Sequence, residues 1–172
     1  MVRKVFDSGS RKGQFSLIEA VYAIVFLFAF ATVIFVGFEM FGDWNDTIQT
    51  DDTLSQANKD RVQSLYVRYP SVFDGAFMFL LVFMWLIVCI AAFNVINHPL
   101  LFLVGILFAV IMMVVVLQLA NAFDDLMADA TFSTVAASFP MTSFVMGNFA
   151  IITLILITSG MVSMYMGSRF AT

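Results

Sequence analysis

The chain is poor in the residues on which most protein chemistry rests. It has one cysteine, Cys89, and one histidine, His98, in 172 residues. A lone cysteine excludes an intramolecular disulfide, and inside an apolar run it reads as a small buried hydrophobe. A lone histidine with no cysteine or carboxylate near it does not match the zinc-site spacings; between Asn97 and Pro99 it reads as a turn residue at the interface. Charged residues make up only 12% of the chain, and the net charge is −4. That is about half the charge density of a soluble domain, and it lacks the basic face that nucleic-acid binding requires. No glycine-rich phosphate loop, nucleophile elbow or zincin helix is present. The acidic stretch 43–52, DWNDTIQTDD, lacks the EF-hand spacing and its closing glutamate, so it reads as a solvated surface rather than a Ca²⁺ site. These gaps lead to the expectation of a non-enzymatic protein with no cofactor, no metal and no nucleic-acid partner.

What the chain has in excess is apolar surface: 62% of its residues are hydrophobic. A chain this short cannot hide so much in its own interior, so the bilayer is the expected solvent. Four runs are long enough to span: 15–41, 72–96, 100–123 and 141–167. A lipid-exposed backbone must satisfy its own hydrogen bonds, which a helix does. A barrel would need short segments of alternating polarity, and these runs are apolar all round. The expected fold is therefore an all-α integral membrane protein, a bundle of four transmembrane helices forming one membrane domain. A basic N-terminal segment, 1–14, precedes the bundle, and a polar outer loop, 42–71, covers one side of it. Within that loop, 53–67 can form a helix lying on the membrane surface. Pro99 and Pro140 stand where helices three and four should start. There is no internal repeat, and the first run is too long for a secretory signal peptide.

Lysine and arginine placement orients the bundle. Arg3, Lys4, Arg11 and Lys12 precede the first run and Arg169 follows the fourth. Lys59, Arg61 and Arg68 lie on the other side but are outnumbered by aspartates, including Asp43, Asp46, Asp51, Asp52, Asp74, Asp124 and Asp125. Both termini are therefore expected in the cytoplasm.

The polar residues inside the runs are the candidate sites. Gln118 and Asn121 lie near the outer end of the third run, Asn148 near the outer end of the fourth, and Asn94 at the inner end of the second. Such side chains hydrogen-bond between helices, and small residues such as Gly105, Ala109, Ser159, Ser163 and Gly167 let helices approach closely. Glu19 is a carboxylate about one turn inside the first run, which is costly unless it is paired, hydrated or protonated. It snorkels to the interface, forms an intramembrane ion pair, with Arg169 the first candidate partner and Arg11 and Lys12 the competitors, or serves in a proton relay.

Two resemblances bear on function. Residues 11–28, RKGQFSLIEAVYAIVFLF, resemble the type IV prepilin entrance, and Lys12 to Ser16 resemble archaeal class III signals. The resemblance implies cleavage after Gly13 and pilus assembly. It covers about a tenth of the chain, Glu19 falls one position late in register, and three further runs replace a pilin's soluble head. Residues 73–102, with their Asp-Gly opening and His-Pro turn, and 139–167, with their Phe-Pro opening, resemble small multi-span membrane proteins of prokaryotic viruses. That resemblance implies a virion membrane component or an assembly protein. The reading favoured is a structural membrane protein that packs with the lipid bilayer, with copies of itself or with other membrane proteins. A holin-like or channel protein, a pilin-like or secretion-system subunit, and an accessory subunit of a membrane enzyme are the alternatives.

Overall fold

The computed structural model describes residues 17–93 and 99–170, with side chains described for 22–90, 92, 106–163 and 165–166. Every element among these residues is helical: α1 (Leu17–Thr50), α2 (Gln56–Phe93), α3 (Pro99–Met127), α4 (Ala130–Ala137), α5 (Pro140–Gly147) and α6 (Phe149–Phe170). Three helices are long and apolar enough to cross a membrane, and a fourth crossing is present if α5 and α6 count as one bent span. The basic segment 1–14, Asn94 and His98 lie outside the described residues. Glu19 and Arg169 fall on α1 and α6, but their side chains lie outside the described set.

Around the bundle, α2 packs along both α1 and α6, α3 packs along α6, and α1 and α3 meet over a shorter length. Where the four long helices converge, an apolar cavity of about 90 Å³ remains, lined by Leu27, Leu81, Trp85, Met112 and Ile157 among others. The core is aliphatic and aromatic, with Ala31, Ile34 and Phe35 of α1, Phe77 of α2, Val116 of α3 and Phe149 of α6 all within 2% of complete burial.

The polar stretch 42–71 is helix rather than loop. The first helix runs on to Thr50 and the second starts at Gln56, leaving only a turn at 51–55. At 34 residues, α1 is about 51 Å long, about 20 Å more than a bilayer core. The extra turns of α1 and α2 hold each other. Lys59 donates from Nζ to the Gln49 carbonyl at 2.9 Å, and Gln49 donates from Nε2 to the Lys59 carbonyl at 3.0 Å. Asn45, 3% exposed, accepts a longer bond from Gln49 at 3.4 Å. From Gln56 onward the stretch 53–67 is therefore part of a helix paired with α1, not an isolated surface helix. Pro70 sits inside α2. It supplies no N–H, and spanning helices tolerate such a residue where neighbours compensate.

Aromatic rings tie the hairpin to the remainder of the bundle. Phe38 stacks on Tyr66 at 4.9 Å and meets Phe139 edge-on at 5.3 Å. Tyr69 stacks on Phe73 at 4.2 Å. Gly37 makes room for this cluster, because a Cβ there would lie 2.8 Å from the Tyr69 hydroxyl.

Candidate functional site

The last apolar run does not cross as one straight helix. It is split into α5 and α6, bent by 77° at Gly147 and Asn148. The N-terminus of α5 begins with Phe139 at the cap position, which has no side chain able to accept a hydrogen bond. Pro140 at the first helical position has no N–H to satisfy. The next two amides do, and their acceptor comes from another helix. Asp74 of α2, 5% exposed, accepts from Met141 N at 3.0 Å, from Thr142 N at 2.6 Å and from Thr142 Oγ1 at 2.7 Å. Asp74 thus does across helices what a capping residue does locally, and a carboxylate at a helix N-terminus is further favoured by the peptide dipoles. Ser143 completes the junction by donating to the Ala136 carbonyl at 2.7 Å. This adds a second bond to a carbonyl at the end of α4 that already accepts from Phe139 N at 3.0 Å.

A second polar contact joins α2 to α6. Trp85 Nε1 donates to Ser159 Oγ at 2.7 Å, Ser159 Oγ donates to the Leu156 carbonyl at 2.8 Å, and Cys89 Sγ lies 3.8 Å from the same hydroxyl. Gly160 beside it is buried, and a Cβ there would lie 3.6 Å from Val88. The small residues of the Ser159 stretch therefore do bring helices close.

Among the described residues, the candidate packing residues behave differently from expectation. Gln118 and Asn121 are exposed on α3, and neither makes a hydrogen bond to another helix of the chain. Asn148 is half-buried at the bend, and its Nδ2 donates to the Phe144 carbonyl at 2.9 Å. It closes the end of α5 rather than joining two distant helices. Inter-helix polar bonds are instead made by Gln49 with Lys59, by Asp74 with Met141 and Thr142, by Ser143 with Ala136, and by Trp85 with Ser159. In the sequence Asp74 was counted only as one outer-side acid. The signal that could have found it is the uncapped start of α5, where Phe139 and Pro140 leave two amides that need an acceptor.

A polar pocket of about 230 Å³ lies between Glu39, Asp43, Asp46 and Tyr66 of the hairpin and Thr134 and Ser138 of the α4 segment. It places the hairpin and the 130–139 segment at one end of the bundle. Among the described residues no group of three or more His, Cys, Asp or Glu side chains is arranged to hold a metal ion. No protein-family model, curated protein or solved structure matches the chain.

Proposed function

We propose that the chain is a non-enzymatic structural protein of a membrane-associated assembly, crossing four times with both termini in the cytoplasm. The observation that carries this reading is the exposed strip of α3. Ile106, Val110, Val114 and Leu117 are between 45% and 60% exposed, and Gln118 and Asn121 continue the same surface. Apolar side chains can face lipid indefinitely. An amide side chain at that depth gains from a partner, and the described residues supply none to Gln118 or Asn121. A second polypeptide that covers the strip would. The polar groups between helices support the same reading, since Asp74, Thr142, Trp85 and Ser159 are occupied in holding helices together.

The experiment is the mass of the protein extracted in a mild detergent, measured for the wild type and for Gln118→Leu/Asn121→Leu. The reading expects a discrete assembly of several chains, or a complex with one co-purifying membrane protein, which the double variant dissociates while its helical content is unchanged. A monodisperse single chain for the wild type overturns it. Permeabilised cells on expression would favour a holin-like protein instead. Co-purification with virions would give the viral resemblance its first support.

A further inference from the structure

We propose that the outer groove between α1 and α2 is a phospholipid site, in which an acyl chain lies along Phe41, Leu65, Val72 and Phe73 and the phosphodiester meets Arg68. The groove has an open volume of about 430 Å³ and is also walled by Tyr69. Its only charged lining residue is Arg68. The position of the groove argues for a lipid. On α1 the sequence turns from apolar to polar just after Phe41, at Gly42 and Asp43, and on α2 the apolar run begins at Val72. The groove therefore straddles the level where acyl chains give way to headgroups. Trp44, 51% exposed, and the tyrosines Tyr66 and Tyr69 mark the same level, as aromatic residues do at a membrane interface.

Charge argues for the phosphate. The hairpin has three described cations, Lys59, Arg61 and Arg68, and of these only Arg68 lines the groove, Arg61 being exposed away from it. Lys59 is engaged by the Gln49 carbonyl. The exposed Arg68 side chain has no hydrogen-bond or ion-pair partner among the described residues. The acidic side chains Glu39, Asp43 and Asp46 line a different pocket, against Thr134 and Ser138. An unpaired guanidinium at the lip of an otherwise apolar groove matches an amphiphile with an anionic head, because its planar fork pairs two phosphate oxygens at once. A free anion would leave the apolar wall exposed, and a second copy of this chain would bring the same unpaired arginine to the contact.

This inference rests on the membrane-spanning reading but not on the assembly reading. The test is native mass spectrometry of delipidated protein titrated with phosphatidylglycerol or with diacylglycerol of the same chains, for the wild type and Arg68→Gln. The wild type should retain one phosphatidylglycerol per chain about fivefold more strongly than Arg68→Gln, and Arg68→Gln should hold both lipids alike. Arg68→Lys should keep part of the preference. Equal retention of phosphatidylglycerol by wild type and Arg68→Gln overturns the proposal. So does full competition by inorganic phosphate, or disulfide pairing of two chains through Leu65→Cys in a Cys89→Ser background. Alkaline carbonate extraction of the same cells reports separately on membrane insertion, so a failure of that premise is not confused with a failure of the site.

Discussion

At the scale of single residues, the largest effects belong to side chains that serve a helix other than their own. Asp74 accepts three bonds from the start of α5. Asp74→Ala leaves two backbone amides and a hydroxyl without an acceptor, so we expect a loss of about 2–4 kcal/mol in unfolding free energy. Thr142→Val removes one donor and keeps the amides paired, and should cost about 1 kcal/mol. Denaturant unfolding in detergent, followed by circular dichroism, measures both; an Asp74→Ala protein as stable as the wild type would mean that the cap contributes nothing. Gly37 is the second such residue. Gly37→Ala drives a methyl group against a Tyr69 ring that Phe38, Phe41 and Phe73 already hold, and overpacking of this kind costs about 1–3 kcal/mol. In a Tyr69→Phe background the clashing oxygen is gone, so the cost of Gly37→Ala should shrink by about 1 kcal/mol. Strict additivity of the two substitutions would place the clash elsewhere.

At the scale of elements, the apolar runs announced the long helices, and their placement required little more than length and hydropathy. The stretch 42–71 was harder to read. Its polar residues lack a helical apolar stripe because α1 and α2 meet there through Gln49 and Lys59 and through Tyr66 and Tyr69 rather than through aliphatic side chains. The split of the last run was legible only in part. Pro140 marks a helix start, but nothing at Gly147 and Asn148 distinguishes a 77° bend from a continuous span. The uncapped start of α5 signals that an acceptor is needed, but not that Asp74 supplies it, because the donors lie 67 and 68 residues away. The hairpin turn has its own local lock. The Thr53 hydroxyl donates to Asp51 at 2.7 Å and the Thr53 amide at 2.8 Å, and these bonds hold the Asp51 carboxyl below its ordinary pKa, the hydroxyl contributing most. A depressed carboxyl stabilises the turn above its unfolded pKa and loses that contribution as pH falls through the lower folded value. The turn should therefore loosen only below about pH 4. An NMR titration of Asp51 checks this, and Thr53→Val should move its midpoint upward. An unmoved midpoint would remove Thr53 as the cause.

At the scale of the whole molecule, the arrangement puts polar material at one end. The hairpin, the 130–139 segment and the acidic pocket between them share that end, and Asp124 and Asp125 of α3 lie just before it in sequence. If both termini are cytoplasmic, Asp52 and Asp125 face outward together while Arg11, His98 and Arg169 face inward. Single cysteines at these five positions, in a Cys89→Ser background, would be read with a membrane-impermeant thiol reagent on intact cells. We expect labelling at 52 and 125 only. Labelling at 98 without labelling at 52 would invert the molecule.

The bond between Asp74 and α5 also sets a timetable. A ribosome adds about 5–20 residues per second, and 67 residues separate Asp74 from Met141. For roughly 3–13 s after its own synthesis, then, Asp74 has none of its native donors. If α2 crosses a membrane, a bare carboxylate is costly in hydrocarbon, so during that interval we expect the Asp74 end of α2 to stay near water. The helix would then settle to its final depth once the chain has grown past Thr142, and the last third of the sequence would time the entry of the second helix.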